Sequence, residues 1–133
     1  VHREQVFDGY QLKRGFKVTS NDIDLIERVS QDVTELIEQN VYITSHAPQY
    51  FYTQLGALKI QMIAAASADG QLRAETAVEG GGGALGRLLE TSIGVFQILG
   101  TNSNESFSWG GTLNTSSKNK TAFVNVKQRY AIN

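Results

Sequence analysis

A long alanine-rich segment that stops at four consecutive glycines constrains the fold more than any other feature. Residues 54–79 carry apolar side chains at helical spacing, and no proline interrupts them. The segment is therefore predicted to form one long helix, with small residues that suit close packing. Residues 80–83 are all glycine. Such a run is either a phosphate-binding loop or the end of the helix, and the two alternatives imply different functions.

The glycines satisfy the dinucleotide-binding pattern G-x-G-x-x-G at Gly81, Gly83 and Gly86. That pattern binds a pyrophosphate only when a strand precedes it and a helix N-terminus follows it. Here the order is reversed, because a helix precedes the glycines and a predicted strand follows them. The P-loop pattern fails as well, since Arg87 and Leu88 stand where Lys and Ser or Thr are required. The sequence therefore predicts a left-handed helix cap and a tight structural turn, formed by Gly81, Gly82, Gly83 and Gly86.

Two patterned segments precede the long helix. Residues 10–18 alternate between apolar and polar side chains, which predicts a half-buried strand. Ser, Asn and Asp at positions 20–22 then offer capping oxygens, and apolar residues recur at helical spacing from Ile23 to about Asn40. This pattern predicts an amphipathic helix.

The remaining segments favour strands and one long loop. Residues 41–44 predict a short strand that closes at Pro48, residues 88–98 predict another, and residues 121–130 alternate as a last strand. The loop over residues 99–119 is rich in Ser, Asn and Gly. Three N-x-S/T triplets, which matter only in a eukaryotic secreted protein, begin at Asn104, Asn114 and Asn119.

The predicted order is strand, helix, strand, helix, strand, strand. An amphipathic helix has one apolar stripe to bury, so both helices are expected to pack on the same side of the sheet. The predicted fold class is α/β of the α+β kind, with two helices packed on one face of a mainly antiparallel sheet.

Composition excludes several classes of function. At 133 residues, with 41% hydrophobic and 19% charged residues, the chain fits a single domain over residues 1–133. The formal charge of −1 leaves no basic excess for a nucleic acid backbone. No window approaches the roughly 18 to 20 apolar residues of a membrane span. The absence of cysteine excludes disulfides, thiol catalysis and thiolate metal sites.

No constellation of side chains predicts catalysis, a metal or a cofactor. The two histidines, His2 and His46, lack a partner at the spacing of a metal pair. Asp69 and Arg73 have the i, i+4 spacing of an ordinary helix ion pair, and a catalytic carboxylate at Asp69 or Glu75 is the minor alternative. The sequence therefore favours a protein that is not an enzyme and holds no cofactor.

The residues also carry a resemblance to a known family. The stretches FKVTSNDIDLIERVSQDVTELIEQNVYI, PQYFYTQLGALKIQMIAAASADGQLRAETAVEGGGGALGRL and IGVFQI resemble the SIMPL domain family of bacterial envelope proteins. The similarity runs from about residue 10 to residue 130. Its most specific part is the alanine-rich helix with its glycine stop, carried by Asp69, Arg73, Ala74, Glu75, Ala77, Leu85 and Gly86. Gly70 departs from the family, whose helix usually has alanine there.

The resemblance implies a location and an assembly. Family members are mostly periplasmic or extracellular proteins of unsettled function, and some form large ring-like or channel-like homo-oligomers. They usually begin with a signal peptide and an N-terminal part of the same domain, which the resemblance implies is missing here. We therefore expect a non-catalytic, self-assembling envelope protein that forms a ring or a filament with copies of itself. Candidate assembly residues are Tyr10, Leu12, Phe16, Phe107, Trp109, Phe123, Val124 and Tyr130.

Two alternatives stay open at the level of the sequence. The aromatic run Tyr50, Phe51 and Tyr52, near His46, is a candidate pocket for a small molecule or an enzymatic site. An adaptor for a protein partner rests on a mammalian relative alone. The loop aromatics Phe107 and Trp109 are equally compatible with packing onto their own core.

Overall fold

The structure, a computed structural model, describes residues 2–133. Its contacts divide the chain into two compact units, Val1–Pro48 and Gln49–Asn133. The α+β class is confirmed, since the described residues form two helices and antiparallel strand pairs. None of the helices in residues 2–133 combines the length and the apolar character needed to cross a bilayer.

The first unit contains one helix, α1 (Ile23–Glu38). Its start follows the sequence, because the Leu25 N–H donates to the Asp22 side chain at 3.0 Å. Its end has left-handed Asn40 (φ 62°), and the Val41 N–H donates to the Leu36 carbonyl at 3.1 Å. This is a Schellman cap with asparagine in the usual place of glycine.

Two predicted strands are wrong. Residues 10–18 and 41–44 form no strand in the structure. Alternation specifies which side chains share a face, but a strand exists only when its backbone groups have a ladder partner. Neither segment has one within the described chain.

The second unit begins with the long helix α2 (Leu55–Gly80), which confirms the prediction to within one residue at each end. Its half-buried residues recur at helical spacing along one side and include the small residues Ala66, Gly70 and Ala74. This side packs against strands β1 (Leu85–Ile93) and β4 (Val126–Ile132). The opposite side carries Ile60 and Leu72, which are more than 60% exposed.

The strands form a kinked two-stranded ribbon. Antiparallel β1 and β4 make one half, and antiparallel β2 (Gln97–Gly100) and β3 (Lys120–Phe123) make the other. At the kink, residues 94–96 oppose only residues 124 and 125, joined by the Gly94 N–H to the Asn125 carbonyl at 2.7 Å. Each long strand predicted from the sequence is therefore interrupted once by an irregularity at the kink.

The buried centre of the second unit is β2, whose four residues are all buried. Strand β3 pairs with one edge of β2, and residues 112–114 cover the other: the Ile98 N–H donates to the Thr112 carbonyl at 2.7 Å. Ile98 and Leu99 are the buried hydrophobic residues of the described chain. The apolar core is therefore small.

The glycine run forms the connection between α2 and β1. Gly81 caps the helix with an ordinary φ of −88°, and Gly82 takes the left-handed conformation with φ 84°. The Gly83 N–H donates to the Val78 carbonyl at 2.9 Å, which completes a second Schellman cap. Gly86 lies beyond the turn, inside β1.

We expect alanine to be costly at only one of the adjacent positions Gly81 and Gly82. Gly82→Ala should lower the free energy of unfolding by about 1 kcal/mol, because a Cβ is unfavourable at positive φ. Gly81→Ala should have little effect, since its φ is ordinary and its Cβ would make only normal contacts at 3.5 Å or more. Urea unfolding of both variants measures the difference. Equal losses of unfolding free energy in Gly82→Ala and Gly81→Ala would contradict this account of the cap. So would a loss in Gly82→Asn as large as that in Gly82→Ala, because asparagine tolerates the left-handed conformation.

Candidate functional site

A cleft of about 510 Å³ lies between α2 and the strands β1 and β4. Ser67, Gln71 and Glu75 line its helical side, because their i, i+4, i+8 spacing places them along one stripe of α2. The other lining residues are Ala68 of α2, Leu85, Gly86 and Leu88 of β1, and Gln128 and Tyr130 of β4. The cleft is open to solvent, because Ala68, Gln71, Glu75 and Leu88 of its lining are exposed.

An irregular register in β1 shapes the strand side of the cleft. Residues 85–90 of β1 span the same stretch as residues 129–132 of β4, so β1 has two residues more. Extra residues bend a strand and change the direction of its side chains. Within this stretch Gly86 lies against β4, where a Cβ would come within 2.9 Å of the Ala131 carbonyl oxygen. Glycine at this position therefore permits the close approach of the two strands.

Gly70 makes a second close approach possible, between α2 and β4. A Cβ at Gly70 would collide with Oε1 of Gln128. This oxygen is buried and accepts no hydrogen bond in the structure. A buried acceptor without a donor costs about 1–3 kcal/mol, and this oxygen is packed against Gly70 with almost no accessible surface.

The charged side chains of α2 near the cleft have different surroundings. Asp69 and Arg73 form the ion pair that their spacing predicts, with Nε of Arg73 2.8 Å from Oδ2 of Asp69. Both side chains are exposed, so the pair contributes little stability. Glu75 lines the cleft and has no ion pair within the described residues. Glu75 is exposed to solvent.

A second group of polar side chains lies in the loop between β2 and β3, and we call it the Glu105 cluster. Glu105 accepts hydrogen bonds from the Gly100 N–H at 2.8 Å, from Nδ2 of Asn114 at 2.7 Å and from Oγ of Ser103 at 3.0 Å. Lys120 donates from Nζ to the backbone and side-chain oxygens of Asn114. The cluster holds the loop against the end of the β2–β3 pair.

Hydrogen bonds change the pKa of Glu105 and burial changes that of Lys120. The bond from the Gly100 N–H, followed by that from Asn114, lowers the pKa of Glu105. Burial lowers the pKa of Lys120, and the nearby Glu105 carboxylate opposes that change. Each of the oxygens of Glu105 and each end of the Asn114 amide has a partner. The cluster is therefore a hydrogen-bonded network that orders the loop.

The buried amide Gln97 anchors the other end of the same loop. Its Nε2 donates to the Ser108 carbonyl at 2.7 Å, and its Oε1 accepts from the Ser108 N–H at 3.3 Å. Gln97 is 7% exposed and Asn114 is 6% exposed. The loop is therefore ordered by the hydrogen bonds of two buried amides more than by apolar packing.

The family model for SIMPL, described as a protein of unknown function (DUF541), matches residues 1–126. The chain belongs to the SIMPL family. The match covers the long helix, its glycine stop, β1, β2 and β3, and it ends where β4 begins. No curated protein and no solved structure matches the chain.

The candidate assembly residues of this SIMPL chain lie in two kinds of environment. Tyr10, Leu12 and Phe16 are at least 85% exposed in the first unit, and Trp109 is 100% exposed in the loop of the second. The ring of Phe107 lies against that of Phe123, with their centroids 5.4 Å apart. Val124 is half-buried at the kink, and Tyr130 lines the cleft.

The residues of the aromatic pocket predicted near His46 are divided between the two units, and the pocket stays a prediction. His46 belongs to the first unit of the SIMPL chain, whereas Tyr50, Phe51 and Tyr52 belong to the second. Phe51 is 63% exposed and Tyr52 is 50% exposed. The cleft beside α2 contains none of these residues. Residues 2–133 also hold no cluster of three potential metal ligands.

The cleft of the SIMPL chain was not predicted from the sequence. The available signal was the polar stripe Ser67, Gln71 and Glu75 on a helix that is otherwise rich in alanine. A mid-helix glycine, Gly70, was a second signal, because glycine in a helix interior is unfavourable unless another group needs the space. Neither signal identifies Gln128 as the neighbour, because strand register decides that contact.

Proposed function

We propose that this SIMPL protein is a non-catalytic, self-assembling protein of the bacterial cell envelope, periplasmic or extracellular. Copies of the chain add strands to one another and form a homo-oligomeric ring or filament. The observation that carries the proposal is the open edge of β1, which pairs with β4 and with no other strand in the described chain. A two-stranded ribbon is marginal by itself, and an unpaired edge offers N–H and C=O groups to a further strand.

The occupant that we propose for this edge is the segment 10–18 of a second copy. It has an apolar–polar alternation without a ladder partner in its own chain, and its apolar residues are exposed. The segment has nine residues, as does β1. Addition of such a segment to a sheet edge provides main-chain hydrogen bonds, while alternate side chains provide specificity.

Charge favours β1 over the opposite edge of the ribbon, β4. Segment 10–18 has the sequence YQLKRGFKV, with three basic residues. Strand β4 carries the basic residues Lys127 and Arg129 and no acidic residue, so it would repel the segment. Strand β1 has one basic residue, Arg87, and one acidic residue, Glu90, whose carboxylate also forms an ion pair with Arg129 of β4 at 3.0 Å. Strand β1 is therefore the better acceptor.

The contact is heterologous, because the donated segment and the accepting edge are different surfaces. Repetition of a heterologous contact gives a ring when the rotation closes and a filament when it does not. The fully exposed Trp109 and its neighbour Phe107 offer an additional aromatic anchor on the loop. The envelope location rests on the family resemblance.

Analytical ultracentrifugation across a dilution series, paired with negative-stain electron microscopy, tests the assembly. We expect the dissociation constant of the oligomer to rise at least tenfold in Phe16→Ser, because this substitution removes an apolar side chain of the donated segment. The matched control is Lys17→Ser, on the other face of the same segment, which should assemble like the unchanged chain. Trp109→Ala tests the loop anchor separately.

Two outcomes would contradict parts of the proposal. A monomer at every concentration up to the micromolar range would remove self-assembly. Oligomers that tolerate Phe16→Ser and dissociate in Trp109→Ala would move the contact from segment 10–18 to the loop. Fractionation of the native host would test the envelope location, since recovery in the cytoplasm would contradict it.

A further inference from the structure

The apolar stripe of α1 has no partner within its own unit. Its residues Ile26, Val29, Val33 and Leu36 alternate between spacings of three and four, which is the pattern of a helix–helix seam. No residue of α1 is buried, and α1 is the only helix or strand among the described residues of the first unit. An amphipathic helix is stabilised mainly by burying such a stripe, so α1 needs a second surface.

An apolar stripe on α2 is also uncovered. Ile60, Ala64 and Ala68 follow one another at spacings of four residues, and all three are exposed. The same stripe continues through Gln71 and Glu75, which line the open cleft. The distance between two packed helices depends on the side chains at their contact, so the alanines permit a close approach. The stripe of α2 therefore suits a second helix.

We propose that this stripe of α2 binds α1 of a second copy, beside the strand that the same copy adds to β1. The inference rests on the proposed function, in which segment 10–18 of the second copy pairs with the edge of β1. Residues 19–22 connect that segment to Ile23, the first residue of α1. Such a short connection spans at most about 14 Å when extended, so α1 of the donor begins next to the β1 edge.

The two faces of the ribbon differ in what they offer to an apolar stripe. Opposite residues of an antiparallel pair lie on the same face. One face carries the exposed polar pairs Glu90–Arg129 and Ser92–Lys127. Gln128 lies between Lys127 and Arg129 on β4, so it belongs to the other face, and it lines the cleft beside α2. The face that carries α2 is therefore the one with an apolar surface for α1.

Charge favours the first half of α2 as the contact. Helix α1 carries five acidic residues and one basic residue, which gives it a net charge of −4. Residues 55–68 of α2 include one charged residue, the basic Lys59. The acidic residues of α2 are Asp69, Glu75 and Glu79, which all follow that stretch. An acidic helix is therefore attracted to the stretch around Ile60 and Ala64 and repelled further along α2.

Cross-linking between two single-cysteine variants of the full chain tests the proposal, because the chain has no cysteine of its own. Val33→Cys marks the seam of α1, and Ala64→Cys marks the stripe of α2. The two variants, one of them with an affinity tag, are mixed dilute, concentrated and treated with a short bis-maleimide. We expect a covalent dimer that contains both variants. It should be at least tenfold more abundant than in the matched mixture of Gln31→Cys with Ala64→Cys, because Gln31 lies on the opposite side of α1.

Three cross-linking results would overturn the proposal. The first is no mixed dimer in samples that sediment as oligomers, which would leave the strand addition in place and remove the helix contact. The second is a dimer of Val33→Cys with itself, which would show that α1 pairs with α1 of another copy. The third is a cross-linked monomer of the double variant without any mixed dimer, which would mean that α1 packs on its own chain.

Sedimentation of the same samples separates this inference from the proposed function. A chain that stays monomeric at every concentration contradicts self-assembly itself, and the helix contact with it. Val29→Cys and Ala68→Cys provide a second pair on the same two surfaces, so a single variant that assembles poorly does not decide the result. Circular dichroism spectra confirm that each variant is folded.

Discussion

Replacing Gly111 by alanine should destabilise the second unit by about 2–5 kcal/mol, because two costs add at this position. Gly111 has φ 88°, where a Cβ is unfavourable by about 1–2 kcal/mol. The added Cβ would also lie 2.8 Å from the Phe96 carbonyl oxygen and 2.9 Å from Cγ1 of Val95. Overpacking against the backbone of the kink adds a further cost of about 1–3 kcal/mol. Guanidinium unfolding followed by circular dichroism measures the loss.

The neighbouring glycine supplies a matched control. A Cβ at Gly110 would meet no atom within 4 Å, so Gly110→Ala should change the free energy of unfolding by a few tenths of a kcal/mol at most. The sequence does not distinguish the two glycines, whereas the structure separates them sharply. Similar stabilities of the two variants would show that residues 108–111 do not hold the conformation described.

Elements that depend on local chemistry could be predicted from the sequence. Both helices have boundaries within about two residues of the prediction, because Asp22 caps one start and left-handed residues end both. The equivalence of Asn40 and Gly82 is visible only in the structure. Asparagine is the residue type that most often replaces glycine in the left-handed region, which explains why Asn40 can end α1 as Gly82 ends α2.

Strands depended on partners, which the sequence does not reveal. Residues 10–18 alternate as clearly as β4 does, yet only β4 forms a ladder, with β1. The two later strands were predicted as continuous, although a glycine inside a strand, here Gly94, is typical of a bulge. The number of residues on each side of the kink depends on the pairing of the two strands, which the sequence does not show. Pairing and register are properties of two segments at once.

The candidate site illustrates the same limit. The polar stripe of α2 could be identified from spacing alone, and Gly70 could be noticed as unusual. The meeting of Gly70 with Gln128 follows from the two extra residues of β1 relative to β4, which set the register beneath the helix. The two buried amides of the loop, Gln97 and Asn114, were likewise hidden in a segment that reads as polar and exposed.

Replacing Asn114 by alanine should lower the free energy of unfolding by about 3 kcal/mol, because several groups lose a partner at once. Its Nδ2 donates to Glu105 at 2.7 Å, and its Oδ1 accepts from the Ser117 N–H at 2.8 Å and from Nζ of Lys120 at 3.3 Å. The control is Asn104→Ala, an exposed asparagine of the same loop, which should be nearly neutral. Urea unfolding near pH 7 measures both.

The loss in Asn114→Ala should also depend on pH, through Glu105. The folded-state pKa of Glu105 lies below its ordinary value, first because of the Gly100 N–H and then because of Asn114. A carboxyl whose pKa is lowered by folding contributes stability that is present above its unfolded pKa and lost as the pH falls through the folded pKa. Asn114→Ala removes part of that contribution. The difference in unfolding free energy between the unchanged chain and Asn114→Ala should therefore become smaller as the pH falls below the folded-state pKa of Glu105. A gap of equal size at neutral and acidic pH would mean that Asn114 stabilises the loop through Ser117 and Lys120, independently of the Glu105 carboxylate.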